Sequence, residues 1–90
     1  MITRTGKLVC SNMIEAELVA SLLEEHTRLT RAEPGCLSFL VTRTADPLVW
    51  NVEEAFSDEP AYRTHQKRAR ASAWHKATAH LHKDYRETGL

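Results

Sequence analysis

Two segments in the middle of the chain alternate apolar and polar side chains, and only a short turn separates them. The first runs from Cys36 to Thr44 and the second from Leu48 to Phe56, with Ala45-Asp46-Pro47 between them. A period of two is typical of a β-strand with two different faces, and Asp and Pro favour turns. The pattern therefore predicts a β-hairpin. One apolar face of the first strand carries Leu37, Phe39 and Val41.

Helical spacing precedes this hairpin. Asn12 is suited to cap the helix because its side chain can accept from free backbone N–H groups, and Glu15 follows at the spacing of a capping box. The predicted helix ends before Glu33-Pro34-Gly35, since proline disfavours helical geometry at the residue before it and glycine can adopt positive φ. The apolar stripe expected on the buried side of this helix consists of Ile14, Leu18, Leu22 and Leu29, with Val19 and His26 beside it.

A second helical segment follows the hairpin. Ser57 or Asp58 caps it, Pro60 is tolerated in its first turn, and helical character persists to about Leu81. The middle of this segment, His65 to Arg70, is too polar for burial. We therefore expect an exposed join between two short helices at that point.

The two ends of the chain complete the pattern. Ile2 to Cys10 is rich in β-branched residues and predicts a strand, while His82 to Thr88 predicts a last strand whose charges protect a sheet edge. The element order β-α-β-β-α-β is that of ferredoxin-like domains. We expect a single α+β domain over residues 1–90, with an antiparallel four-stranded sheet and both helical segments on one face.

The other face of such a sheet has no cover within the chain. Its apolar residues would be exposed to water, and a chain of 90 residues has only a thin core of its own. A second copy, packed sheet against sheet about a two-fold axis, is the simplest cover. We therefore expect a homodimer, which a charge placed at Phe39 or Val41 would weaken if their face is the interface.

Composition excludes several classes of protein. Twelve basic residues balance twelve acidic residues, so the chain is not a basic nucleic-acid module. No apolar run approaches the length of a membrane span, and the opening MITRTGKLVC lacks the features of a secretory signal, so a cytoplasmic location is expected. Two cysteines are too few for a disulfide scaffold.

The sequence contains no cofactor motif, but its aromatic and polar residues suggest a small-molecule pocket. The three glycines form no phosphate-binding loop and the histidines lack the converging spacing of a metal site, so we expect no metal and no cofactor. Aromatic side chains with a few polar groups are typical of a ligand pocket, although each aromatic residue is equally suited to a core. Alternation places Trp50 and Asn51 on opposite faces of one strand, so at most one of them lines the pocket. The candidate pocket residues are His65, Trp50, Asn51, Tyr62 and Trp74.

Several short motifs resemble those of the antibiotic biosynthesis monooxygenase family. They are EPGCLSF at 33–39, DP at 46–47, EEAFSD at 53–58 leading to AYRTH at 61–65, and SAW at 72–74. The resemblance spans nearly the whole chain. It implies a dimeric α+β barrel, in which two ferredoxin-like subunits join through their sheets and each holds a ligand cavity between its sheet and its helices.

The resemblance also implies an activity. His65 matches the helix-borne histidine of the family, which makes it the expected catalytic group of a cofactor-independent monooxygenase that oxidises an anthrone or a quinol to a quinone with O2. The same fold also serves non-catalytic small-molecule binders and polyketide cyclase-like proteins, and this alternative stays open. Haem-degrading relatives use an Asn, a Trp and an axial His. Here only His75 matches, with His65 and Thr5 at the other two positions, which argues against haem degradation.

Overall fold

The computed structural model describes all 90 residues. It confirms the predicted order of elements and divides the second helical segment into two helices. Both cysteines are free thiols. None of the helices combines the length and the apolar character that a membrane crossing requires. The elements are β1 (Ile2–Val9), α1 (Met13–Arg31), β2 (Cys36–Arg43), β3 (Val49–Phe56), α2 (Glu59–Arg70), α3 (Ala73–Thr78) and β4 (His82–Thr88).

The sheet is antiparallel throughout, with strand order β2-β3-β1-β4. The predicted α+β, ferredoxin-like fold is therefore confirmed. The three helices cover one face, where side chains of β1, β2 and β3 pack against α1. The core residues of this layer are Leu8, Ala16, Val19, Phe39, Val41, Trp50 and Val52, together with Cys10 and Leu81.

Helix α1 begins as predicted but turns a different face to the sheet. The Asn12 side chain accepts a hydrogen bond from the Glu15 backbone N–H at 3.0 Å, which is the expected cap. The predicted buried stripe was wrong at Ile14, Leu18 and Leu29, which are exposed, whereas Val19 and His26 beside it are buried. Small and polar side chains take their place, and they let the helix lie close to the sheet. The buried residues of the helix are Ala16, Val19, His26 and Thr30.

Strand β2 directs Phe39 and Val41 toward the helices and not toward a dimer interface. Phe39 and Val41 are buried beneath the helices, while Leu40 is exposed on the uncovered face. A charge at Phe39 or Val41 would therefore disrupt the core of the subunit, and the proposed test of the interface at these positions was wrong. Alternation fixes which residues share a face, but not which face is covered.

Helix α2 continues through the polar segment that was expected to be an exposed join. It is helical to Arg70, and the break before α3 lies at Ala71 and Ser72. His65 is buried, contrary to the expectation that the segment 65–70 is too polar for burial. Burial of a polar ring is tolerated because carboxylates from elsewhere in the chain pair with it, as described below.

Candidate functional site

A cavity of about 250 Å³ lies between the sheet and the three helices. Its lining divides into two walls of different chemistry. One, which we call the charged wall, consists of Arg4, Glu54 and His65. The other, the aromatic wall, consists of His26, Phe39 and Trp74. Around the solvent side of the cavity lie Arg70, His75, Lys83 and Tyr85.

His65 is the centre of the charged wall. It lies on α2, whose start is fixed by the Asp58 side chain accepting from the Ala61 backbone N–H at 2.9 Å. Its side chain is only 2% exposed. Nδ1 lies 2.8 Å from Oε1 of Glu33, and Nε2 lies 3.3 Å from Oε1 of Glu54. The imidazole is therefore held between two carboxylates.

Each carboxylate is fixed in turn by an arginine. Glu54 Oε2 accepts from Arg4 Nε at 2.9 Å, and Glu33 Oε1 accepts from Arg68 Nη2 at 2.7 Å. Burial raises the pKa of Glu54, but His65 and Arg4 outweigh burial and lower it. Burial likewise opposes the hydrogen bonds from Arg68 and His65 at Glu33, and its pKa is also lowered. Both groups are carboxylates in the folded protein at neutral pH.

Glu33 reaches His65 because of the corner between α1 and β2. Gly35 has φ of +85°, a conformation that favours glycine, and a Cβ atom there would lie 2.5 Å from the Cβ of Ala61 on α2. The corner can therefore pack directly against the helix that carries His65. The sequence EPG contributes both the carboxylate and the turn that delivers it.

His26 forms the aromatic wall together with Trp74 and Phe39. Its ring is parallel to the Trp74 ring, with an interplanar angle of 4° and centroids 4.6 Å apart, and it meets the Phe39 ring edge to face at 5.4 Å. Burial, followed by the neighbouring Arg68 and His65, lowers the pKa of His26 to about 4. Nδ1 is buried without a hydrogen-bond partner. This histidine is a neutral ring at physiological pH.

The solvent side of the cavity is basic and contains a tyrosine. Arg4 lies over the ring of Tyr85, with the guanidinium carbon 4.9 Å from the ring centroid. Burial raises the pKa of Tyr85 to about 12, with Arg4 opposing and Glu54 adding to the shift. Lys83 donates from Nζ to the backbone oxygens of Thr78 and Ala79 at the end of α3, so its charge is already partnered by that helix terminus.

The five residues predicted from the sequence have different positions. His65 and Trp74 line the cavity together. Trp50 lies in the main core, and Arg43 covers its ring at 4.5 Å. Neither Trp50 nor the remaining two residues line the cavity. Tyr62 is buried against Phe56 and donates to Glu87, and Asn51 lies on the uncovered face, where it accepts from Lys7.

Sequence reasoning missed Arg4, His26, Glu33 and Glu54. Glu54 had a visible signal, because it occupies an inward position in the alternation of β3, between Val52 and Phe56. A carboxylate at an inward position requires a buried partner. His26 had a weaker signal, as a histidine beside the apolar stripe of a helix. No signal of this kind marks Arg4 or Glu33.

The histidines and carboxylates of the site do not form a metal centre. No group of three or more His, Cys, Asp or Glu side chains has the proximity that metal coordination requires. Each carboxylate beside His65 already bonds an arginine. The arrangement is suited to holding a proton or a hydrogen-bonded ligand between fixed charges.

Comparison with known proteins places this geometry in a family. A model of the family described as antibiotic biosynthesis monooxygenase matches residues 15–77. A search of the curated proteins finds no significant match. Among solved structures, a Nitrosomonas europaea protein provisionally assigned as an antibiotic biosynthesis monooxygenase is similar, with a TM-score of 0.83 and 17% identity over 100% of this chain and 98% of that chain. A Deinococcus radiodurans protein with the same provisional assignment has a TM-score of 0.75 and 22% identity, over 100% of this chain and 92% of that chain.

These likenesses cover nearly the full length of each protein, and at such identities they concern the fold. The family match covers most of the chain, from α1 through α3, and it includes His26, Glu33, Glu54, His65 and Trp74. The chain belongs to the antibiotic biosynthesis monooxygenase family.

Proposed function

We propose that the protein is a cofactor-independent monooxygenase that oxidises a small phenolic aromatic compound, of the quinol or anthrone type, to a quinone with O2. The observation that carries this proposal is the buried imidazole of His65 at the wall of a partly aromatic cavity, oriented by Glu33. A carboxylate that fixes one nitrogen of a histidine positions the other nitrogen for proton transfer.

Nε2 is the nitrogen that faces the proposed chemistry. Its contact to Glu54 is 3.3 Å, whereas Nδ1 lies 2.8 Å from Glu33, and Oε1 of Glu54 has no well-aligned hydrogen bond. Both Glu54 and His65 line the cavity. A phenolic O–H that approaches this pair from the cavity can donate its proton to Nε2 of His65, while Glu54 helps to orient the imidazole. The proposed roles are therefore base for His65 and orienting carboxylates for Glu33 and Glu54.

The reaction balances without a cofactor. Once deprotonated, an electron-rich phenolate can pass an electron to O2 directly. In an anthrone the reacting CH2 group becomes C=O, and the two atoms of O2 are found in the new carbonyl group and in water. In a hydroquinone two electrons and two protons pass to O2, giving the quinone and hydrogen peroxide; no oxygen atom enters the product, so with this substrate class the protein acts as an oxidase. The task of the protein is to deprotonate the substrate and to exclude bulk water.

The size of the cavity favours a small substrate. Ligand sites span roughly 300–1,000 Å³, and the volume here of about 250 Å³ lies just below that range. Compounds of one or two rings therefore fit the proposal better than tricyclic anthrones. Trp74 and Phe39 supply the apolar surface against which such a ring would pack.

Oxygen uptake tests the proposed function. The purified protein, with a metal chelator present, is given hydroquinones, naphthohydroquinones and anthrones, and the rate is compared with the uncatalysed rate. We expect uptake with at least one of these classes and a loss of roughly 10²–10⁴-fold in His65→Ala, the usual scale for loss of a general base. His65→Gln provides a second variant if His65→Ala fails to fold. His80→Ala changes an exposed histidine outside the cavity and serves as the matched control.

Two outcomes would contradict this proposal. If oxygen uptake is no faster than the uncatalysed rate with any of the substrate classes, the protein is not the proposed oxygenase. If aromatic ligands still bind, the result favours a non-catalytic binder or a cyclase-like protein. An unchanged rate in a folded His65→Ala variant removes His65 from the mechanism.

We propose further that the protein acts as a homodimer joined through the uncovered face of the sheet. On that face Val9 pairs with Val49 at one end of the two central strands, and Leu40 pairs with Glu53 further along β3. Sedimentation at micromolar concentration should give twice the chain mass, and Leu40→Lys should shift it toward the monomer. Leu18→Lys changes an equally exposed apolar position on α1 and is the control, which should leave the mass unchanged. A wild-type monomer contradicts the dimer.

A further inference from the structure

His26 is a second polar group in the cavity, and the proposed reaction as described so far does not use it. It lies on α1, across from the strand that carries Glu54, and it is 5% exposed. Its ring lines the cavity, yet Nδ1 has no hydrogen-bond partner. Buried polar atoms are nearly always partnered, and each exception asks for an explanation.

Packing alone does not explain a histidine here. The ring stacks on Trp74 and meets the edge of Phe39, and a phenylalanine could make both contacts without leaving a nitrogen unpartnered. The ring lines the cavity, so a ligand there that bonds the imidazole would give the polar ring a role that phenylalanine lacks. The presence of a histidine is therefore better explained by what enters the cavity than by the walls of the cavity.

Burial and the charges around His26 determine what it can offer such a ligand. Burial has the largest effect and disfavours a protonated ring, Arg68 and His65 on α2 add to it, and the carboxylates described above oppose it more weakly. His26 therefore carries one N–H group and no charge at neutral pH. A neutral imidazole can donate a hydrogen bond to a developing oxyanion without first losing a proton.

The distance between the two histidines allows them to share one ligand atom. The ring centroids of His26 and His65 are 6.2 Å apart. With hydrogen bonds of the usual length, two imidazoles that bond the same oxygen have centroids up to roughly 8 Å apart. One phenolic oxygen can thus lie within reach of both rings.

We propose that His26 is a second catalytic residue of this site, whose neutral imidazole donates a hydrogen bond to the phenolic oxygen as His65 removes its proton. This inference rests on the proposed function for its place in a reaction, but its central content is a binding property. The cavity should bind a phenolate in preference to an apolar ring of the same shape, and His26 should be responsible for that preference.

The test uses 4-nitrophenol, whose phenolate form is coloured, and 4-nitrotoluene, which has a methyl group in place of the hydroxyl. Binding of each to the full-length protein is measured near neutral pH, and absorbance reports the phenolate fraction of bound nitrophenol. In His26→Phe we expect nitrophenolate to bind roughly 10-fold or more weakly, while nitrotoluene binds as before, because a site built around a hydrogen bond loses only the ligand that makes it. His26→Gln retains a side-chain donor and should recover part of the difference. His80→Ala should bind both ligands as the wild type does.

Several results would overturn the inference. They are equal binding of nitrophenolate by wild type and His26→Phe, equal weakening of both ligands, or no detectable binding of nitrophenol by the wild type. If His26→Phe does not fold, His26→Gln decides by the same comparison of the two ligands. A His26-dependent preference for phenolate with no oxygen uptake on any substrate would support this inference and contradict the oxygenase. Oxygen uptake that is unaffected by His26→Phe would support the oxygenase and contradict the role of His26.

Discussion

The two walls of the cavity each contain a buried histidine, and the contrast between them shows what gives a buried ring its role. His65 lies between two carboxylates, each fixed by an arginine, so both of its ring nitrogens have a carboxylate neighbour. His26 lies between aromatic rings and has an unpartnered nitrogen. Equal burial therefore produces one ring suited to moving a proton and one suited to a neutral hydrogen bond. The partners, and not the depth of burial, make the difference.

The charged wall should contribute more to stability than the exposed surface of a helix, and a comparison of Glu54 with Glu24 on α1 tests this. Glu54→Gln removes the buried charge between Arg4 and His65. We expect the free energy of unfolding to fall by about 3 kcal/mol, the lower end for breaking a buried ion pair, because Arg4 stays partly exposed. Urea unfolding at neutral pH measures the change.

The control for this prediction is Glu24→Gln, an exposed glutamate on α1, away from the proposed dimer face. Surface substitutions of this kind usually change stability by less than about 0.5 kcal/mol. Equal effects of the two variants would mean that the pairing around His65 contributes nothing specific to stability.

His26 in the aromatic wall should make the free energy of unfolding depend on pH. The pKa of His26 is lowered to about 4 from an ordinary value of 6.5, so the unfolded chain binds more protons than the folded one between these values. The contribution of His26 to stability is therefore fully present above pH 6.5 and is lost as the pH falls toward 4. We expect a loss of about 1–3 kcal/mol across that window, measured as the free energy of unfolding in urea at a series of pH values.

His26→Phe is the matched variant, since it keeps an aromatic ring against Trp74 and removes the titrating group. Its stability should vary much less between pH 6.5 and 4.5. The lowered pKa values of Glu33 and Glu54 add a loss of stability mainly below pH 4.5, and this loss should remain in the variant. If the pH dependence above 4.5 is the same in His26→Phe as in the wild type, the protonation of His26 is not what lowers the stability in this range.

The fold was predictable from local patterns, whereas most of the site was not. The alternation around the 45–47 turn, the Asn12 cap and the EPG corner each depend on neighbours a few residues away, and the structure contains all of them. Which face of β2 is covered depends on the whole sheet, and alternation alone left it open. The orientation of α1 was likewise set by its close approach to the sheet and not by its largest apolar residues.

The surroundings of His65 could not be predicted, because its partners come from separate parts of the chain. Arg4, Glu33, Glu54 and Arg68 meet around His65 only after β1, the corner, β3 and α2 have packed together. His65 itself was found through the motifs it shares with the family. Its polar neighbours on α2 had suggested that it is exposed. The two carboxylates that allow its burial lie more than ten residues away in sequence, so the local pattern did not reveal them.

Chemical rescue of His65→Ala tests the central claim most directly, because it asks whether the imidazole group itself performs the reaction. Oxygen uptake is measured with the best substrate of the wild type, with and without added imidazole, in wild type, His65→Ala and His80→Ala. Removal of the ring leaves a space beside Glu33 and Glu54 that free imidazole can fill. We expect added imidazole to restore part of the uptake lost in His65→Ala and to leave the other two proteins unchanged. A folded His65→Ala variant that binds substrate but gains nothing from imidazole, or that never lost activity, would contradict the assignment of His65 as the base.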